Sequence, residues 1–206
     1  MRINQDPGYA DVEIMSNWTE LPDRNRLRGV AQRADFWCVP ATVTSMLTYH
    51  GIHVPQEELI LAYCERFKDQ GPLSRPDGSA VALDGLTREQ VIEAARGSRL
   101  NHANFKHFGE IAHEVRDLTK WGVRLTHVDD IPGEALVTVV CDNLKAGCPV
   151  GVSATSGERR FHVCVAFAAE PDALHCYDPA LDGRVVLRSE TTTFAKDLLC
   201  LEKAQT

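Results

Sequence analysis

The chain has 206 residues, enough for one domain with a sizeable core, and its 44% hydrophobic and 25% charged residues are those of an ordinary soluble globular protein. A formal net charge of −7 argues against nucleic acid as an obligate partner, because phosphate binding needs clustered Lys and Arg, and Arg159-Arg160 is the nearest approach to a basic patch. No stretch approaches the roughly 18–20 apolar residues of a membrane span, and the N-terminus MRINQDPGYADVEIM lacks the apolar run of a secretory signal.

Residues 1–31 are polar and irregular, with turn signals at Pro7-Gly8 and Leu21-Pro22-Asp23, and read as an extended lead-in packed on the domain. A helix is expected from Cys38. Pro40 suits its first turn, Val43, Met46, Leu47 and His50 recur at helical spacing, and Gly51 is a fitting terminator. A second helix begins near Pro55 and turns Leu59, Ala62, Tyr63 and Phe67 inward. The Gly-, Pro- and Ser-rich segment from Asp69 to Leu86 reads as loop. Thr87 and Gln90 then form a capping box for a helix that closes at Gly97. Phe108, Ile111, Ala112, Val115 and Leu118 mark a further helix ended by Trp121-Gly122. A strand over Val123 to Val128 precedes a helix from Pro132 with Leu136, Val140 and Leu144 in register.

After Gly147 the pattern changes to strands: Pro149 to Thr155, Arg160 to Ala169, Leu174 to Tyr177 and Arg184 to Arg188. Ser156-Gly157, Pro171-Asp172 and Asp182-Gly183 are the turns between them. Helices first and antiparallel sheet second is an α+β arrangement, and no repeat or linker divides residues 1–206, so a single domain is expected. The seven cysteines are an odd number without a CxxC pair. They read as free thiols of a reducing cytoplasm, export by a route without a classical signal being the other reading.

Cys38 stands where the first helix begins. A thiol attacks carbonyls as thiolate, and a helix N-terminus stabilises that anion through its unpaired N–H groups and macrodipole. The Cys38 N–H would also point at an oxyanion formed by its attack, and the amide of Gln32, six residues upstream, can supply a second donor. A helix-start cysteine is more often a small buried hydrophobe, so the base has to be found as well. Alternation along the later strand puts Arg160, His162, Cys164 and Ala166 on one face, and Phe161, Val163, Val165 and Phe167 on the other. A turn near Ala169 to Pro171 makes opposed residues sum to about 340, and His162 plus Asp178 gives 340. Directly opposed side chains share a face about 5 Å apart, so Asp178 can fix the tautomer and orientation of His162. Singly, His162 is a sheet histidine and Asp178 a turn initiator before Pro179; together with Gln32 and Cys38, coincidence is the weaker account.

The order of Gln, Cys at a helix start, His on a strand and Asp at the end of the next resembles the papain-like cysteine peptidases. It is most similar to the small bacterial branch that includes the bacteriocin-processing leader peptidases. Cys38-Val39-Pro40-Ala41, Tyr49-His50-Gly51 and Tyr177-Asp178-Pro179 match that branch, and His162-Val163-Cys164 matches its His-x-Val in part. The resemblance covers about residues 30 to 68 and 145 to 200, leaving the middle unaligned. It implies a papain-like fold, a helical part packed on an antiparallel sheet with the active cleft between them. It also implies Cys38 as nucleophile, His162 as base, Asp178 as its orienter and Gln32 as oxyanion donor, acting on a peptide or protein substrate without cofactor or metal. Acyl transfer and deamidation use the same machinery and differ in what attacks the thioester.

Two rival readings come from other classes. A non-catalytic binding module is disfavoured because all four residue types are present. A zinc site on the hairpin would use Cys164 and Cys176, which also sum to 340, with His175, but it lacks the paired spacing of structural zinc sites. Asp35 reads as a surface residue, and His50 and His53 as solvated groups at a helix end.

Overall fold

In the computed structural model, which describes residues 18–156 and 162–204, helices precede the sheet as expected. Most of the lead-in, the Ser156-Gly157 turn and the Arg159-Arg160 pair lie wholly or partly outside the described residues. A short strand, β1 (Thr19–Glu20), comes first, followed by α1 (Cys38–Thr48) and α2 (Gln56–Phe67). The segment read as loop carries a small hairpin, β2 (Leu73–Ser74) and β3 (Ala80–Val81). Helix α3 (Arg88–Arg96) starts at the Thr87–Gln90 capping box. Helix α4 (Phe105–Val115) stops three residues short of the expected Leu118, and a separate 3-10 turn over Leu118–Trp121 ends at left-handed Gly122. Then come β4 (Val123–Val128), α5 (Leu136–Lys145), β5 (Val150–Ser156), β6 (His162–Glu170), β7 (Ala173–Asp178), β8 (Gly183–Arg188) and β9 (Thr192–Lys203).

The sheet is antiparallel in the order β4-β9-β5-β6-β7-β8, with β1 paired to the far end of β6. Strand β9 was not expected from the sequence, yet it joins the edge strand β4 to β5. Its Leu198, Leu199, Cys200 and Leu201 are all buried. A run apolar on both faces has no alternation to reveal it, because helices cover the two sides. Leu199 and Leu201 join Val163 and Val165 in a core with α1, α2 and α4. Leu198 and Cys200 join Cys164 and Ala166 in a second core with α5.

Helix α1 is buried almost throughout, as an apolar helix with no polar face must be. Its hydroxyls are each satisfied locally or on a neighbour. Ser45 donates to the Ala41 carbonyl (2.8 Å) and Thr44 to that of Val54 (3.1 Å). Where β5 crosses the helix, Gly151 allows close approach: a Cβ there would meet the Phe105 ring at 3.0 Å and the Met46 sulfur at 3.3 Å.

The hairpin register differs from the expected sum of 340. Near the turn the pairs are Glu170↔Ala173, Ala169↔Leu174 and Ala168↔His175; beyond Phe167 they are Ala166↔Cys176 and Val165↔Tyr177. Phe167 is an extra, bulged residue. One further step along this register sets Asp178 opposite Cys164, so His162 meets Asp178 diagonally rather than head-on. Cys176 opposes Ala166, so Cys164 and Cys176 are diagonal as well and do not face each other.

Candidate active site

Three backbone segments converge on the start of α1. Cys38 is its first residue, and Trp37 before it offers no side-chain cap. Pro40 has no N–H, and the Ala41 N–H bonds the Trp37 carbonyl, so the Cys38 and Val39 N–H groups remain to serve an anion. The buried Trp37 ring donates Nε1–H to the Ala95 carbonyl (3.3 Å), which fixes the entry of the helix from the α3 side. One turn into the helix, the Thr42 hydroxyl donates to the carbonyl of Val163, the residue after His162 (3.3 Å). Helix α1, which begins at Cys38, is thereby pinned to strand β6, which begins at His162.

His162 Nε2 bonds Asp178 Oδ1 at 2.6 Å. That oxygen also accepts the N–H of Ala180 (2.8 Å) and of Leu181 (3.3 Å), so Asp178 initiates the turn after β7 and orients the imidazole with the same atom. Asp178 is 4% exposed, and the bond fixes the ring so that Nδ1 is the nitrogen left over. Burial alone would lower the proton affinity of His162, but the Asp178 carboxylate and the thiols of Cys164 and Cys38 more than offset it and push its pKa up. Burial opposes ionisation of Asp178, and His162 with the two turn N–H groups overrides it, holding the carboxyl below its ordinary range.

Gln32 lies on an extended segment stapled on three sides. The hydroxyls of α1 hold its start: Ser45 Oγ accepts the Val30 N–H and Thr48 Oγ1 the Arg28 N–H, both at 2.9 Å. Gln56, buried at the start of α2, clamps its end, donating Nε2–H to the Ala31 carbonyl (2.7 Å) and accepting the Arg33 N–H on Oε1 (3.2 Å). Between them the Gln32 N–H bonds the carbonyl of Pro179, next to Asp178 (2.9 Å). The Gln32 side chain donates Nε2–H to the Asp35 carbonyl (3.2 Å), leaving Oε1 buried without a partner. Turning the amide over would set two acceptors against each other, so this orientation is the one the loop allows. It leaves a second N–H on Nε2. Asp35 is a surface residue, as expected, but its carbonyl steers Gln32.

The structure therefore gathers Cys38, His162 and Asp178 and draws the Gln32 backbone to the same corner. Sequence reasoning passed over Gln56 and Thr42, and singled out Cys164 only as a partner of Cys176. Gln56 carried a weak signal, as a buried polar residue on the apolar side of a helix start. Two other histidines of the sheet and α4 are engaged elsewhere. His175 bonds Glu170 (2.7 Å) under the Trp18 ring, and His113 accepts the Leu125 N–H (3.0 Å). His50 is half-buried rather than solvated, and burial lowers its pKa. With His175 turned to Glu170 and Cys176 offset from Cys164, the hairpin zinc site does not assemble.

Comparison with known proteins adds to this geometry. A C39-like peptidase structure from Bacillus anthracis superposes with a TM-score of 0.52 at 14% identity, covering 91% of this chain and 99% of that one, which supports the papain-like fold. Two further structures match less well. One is a double glycine motif protease from an AMS/PCAT transporter in complex with the leader peptide (TM-score 0.47, 15% identity, 90% of this chain and 99% of that one). The other is the peptidase domain of Streptococcus ComA, a bi-functional ABC transporter of a quorum sensing pathway (0.45, 16%, 87% and 99%). No curated protein matches. No helix among the described residues is long and apolar enough to cross a membrane. The sequence matches the model of one family over residues 24–198, most of its length, and on that match the chain belongs to the Peptidase C39 like family of cysteine peptidases.

Proposed function

We propose that Cys38, His162 and Asp178 are the nucleophile, base and orienting group of this cysteine peptidase, and that Gln32 with the Cys38 N–H holds the oxyanion. The substrate is a peptide or protein segment lying across the junction of α1 and the sheet. The observation that carries the reading is the 2.6 Å bond from His162 Nε2 to Asp178, which leaves Nδ1 as the other ring nitrogen of an imidazole on which the thiol of Cys38, at an uncapped helix start, also bears.

The chemistry follows from proton affinities and donors. His162 draws the Cys38 proton, and the sulfur attacks the scissile carbonyl carbon. The carbonyl oxygen gains the electron pair and is met by the Cys38 N–H and the free N–H of Gln32 Nε2. His162 returns its proton to the leaving amine as the C–N bond breaks, which leaves a thioester on Cys38. Water, deprotonated by His162, then attacks the thioester and releases acid and thiol. Asp178 stays ionised throughout and stabilises the imidazolium.

Brief iodoacetamide labelling followed by peptide mapping tests the nucleophile, with cleavage of a peptide library by wild type and Cys38→Ala as the functional arm. Preferential alkylation of Cys38 over the other six cysteines, with turnover lost in Cys38→Ala, is the expected result. Uniform labelling of accessible thiols together with cleavage by Cys38→Ala overturns the reading.

A further inference from the structure

Cys164 has no part in the mechanism above, yet it completes a set of three donors with two residues that do. One ligand atom from each of His162, Cys164 and Asp178 lies within 4.8 Å of the other two. No other group of three His, Cys, Asp or Glu side chains comes together in this way among the described residues. Strand geometry produces the set. His162 and Cys164 are two apart on β6 and share a face, and the register carried one step past Val165↔Tyr177 sets Asp178 opposite Cys164. Burial holds two of the three in place, Cys164 at 3% exposed and Asp178 at 4%. The His162 side chain, 21% exposed, is the side of the set open to solvent.

We infer that His162, Cys164 and Asp178 form a binding site for a thiophilic divalent cation, zinc, with Cys38 outside the ligand set, and that occupancy holds the peptidase inactive. The inactivation rests on His162 being the catalytic base; the site itself does not. One sulfur, one imidazole nitrogen and one carboxylate oxygen are donors zinc accepts, and water from the open side completes a tetrahedron. Calcium and magnesium, which take oxygen donors, do not suit the set. Zn–S of about 2.3 Å and Zn–N and Zn–O of about 2.0 to 2.2 Å put donor atoms about 3.3 to 3.6 Å apart, within the 4.8 Å span these three already occupy. The cation displaces the Cys164 thiol proton and the proton between His162 and Asp178, and both pass to solvent. The resulting thiolate and carboxylate balance the dication, so no buried charge is left uncompensated. An imidazole bound through one nitrogen keeps its proton on the other and has no lone pair for the Cys38 proton. A cysteine two residues after the histidine thus gives the peptidase a reversible block that leaves its nucleophile untouched.

The test uses the whole chain stripped of metal by a chelator. Titration with Co2+ reads the donors directly, because the thiolate-to-cobalt absorption scales with the number of sulfur ligands. Wild type and Cys38→Ala should each show one thiolate, and Cys164→Ser none. Zinc affinity, measured against a competing chelator, should fall in Cys164→Ser by more than the roughly 10- to 100-fold that losing an orienting neighbour costs. Zinc that stops cleavage by wild type should leave Cys164→Ser cleaving. X-ray absorption of the zinc-loaded wild type needs no variant to fold, and should find one sulfur at about 2.3 Å. A thiolate band that survives in Cys164→Ser or is lost in Cys38→Ala overturns the inference, as does zinc bound through two sulfurs or none. Equal inhibition of wild type and Cys164→Ser overturns the block. Iodoacetamide labelling of the metal-free protein reports on the catalytic reading separately: a sluggish Cys38 there defeats that reading whatever the cobalt spectrum shows.

Discussion

Gln56→Leu removes the clamp on the Gln32 segment while keeping nearly the same volume in a site where the glutamine is 2% exposed. Two hydrogen bonds disappear, from Gln56 Nε2 to the Ala31 carbonyl and from the Arg33 N–H to Gln56 Oε1. At roughly 0.5 to 1.5 kcal/mol each, their loss costs about 1 to 3 kcal/mol. Ala31 is half-buried and Arg33 exposed, so water replaces part of what is lost and the lower half of that range applies. The melting temperature of a chain this size should fall by about 2 to 6 °C.

The effect on turnover is larger than the effect on folding, because Gln32 lies between the two clamped residues. An oxyanion donor is worth about 100- to 1,000-fold in kcat, and a slackened one keeps part of that, so a fall of about 10- to 100-fold is expected with KM little changed. Gln56→Glu keeps the acceptor for Arg33 and should fall between. The measurements are kcat and KM on a peptide recovered from a cleavage library, with urea melts for stability. The deciding comparison is the double variant. If Gln56 acts through Gln32, then Gln32→Ala with Gln56→Leu is no slower than Gln32→Ala alone. Multiplying losses of kcat in the double variant refute the positioning role and leave Gln56 a residue of stability only.

Cys38→Ala should abolish cleavage while its urea midpoint stays near that of wild type, since little packing is lost at a helix start; retained turnover contradicts the assignment of the nucleophile. Asp178→Asn should keep partial activity, because the one oxygen that serves His162, Ala180 and Leu181 is retained as an amide oxygen. Its stability deficit, roughly 1.5 to 3 kcal/mol, should be greatest between about pH 4 and pH 6.5. Below that window wild type loses its advantage as the lowered pKa of Asp178 is approached, and above it as pH climbs toward the raised pKa of His162; a deficit flat in pH contradicts the charged pair. Deleting Phe167 removes the bulge but leaves Ala166↔Cys176 and Ala168↔His175 as consecutive pairs, so Cys38 labelling should survive even though the loss of a buried ring lowers stability by about 3 to 5 kcal/mol.

The elements with periodic or capped sequences were legible. The capping box at Thr87 and Gln90, the apolar spacing of α1 and the alternation of β6 each report a local preference, and each element formed where that preference placed it. What was not legible depends on partners distant in sequence. Leu198 to Leu201 could be assigned to a strand only once both faces were known to be covered. The Gln56 clamp and the Thr42 bond to Val163 join groups 23 to 25 and 121 residues apart, so no motif spells them out. Cys38 and Gln32 stood out because helix starts and loops announce themselves locally. Cys164 stood out too, but paired with Cys176, because counting back from the turn placed them opposite each other.

That count was wrong in position and right in parity, and parity is what the site needs. With the register found next to the turn, where Glu170 pairs with Ala173, continued alternation would set Asp178 opposite Val165. Asp178 would then share a face with the odd-numbered residues of β6, and His162 would face away from it. The bulge at Phe167 shifts the pairing by one and returns Asp178 to the face of His162 and Cys164. Nothing in the hairpin's own sequence marks that position, because what accompanies the bulge lies elsewhere. The Phe167 carbonyl accepts the Leu21 N–H (2.9 Å), and Arg184 lies over the Phe167 ring at 5.6 Å. With Phe167 in the strand, only by bulging it out can the hairpin keep His162 and Asp178 on one face, and the bulge falls between the end of the β5 pairing at Ala166 and the start of the β1 pairing at Ala168.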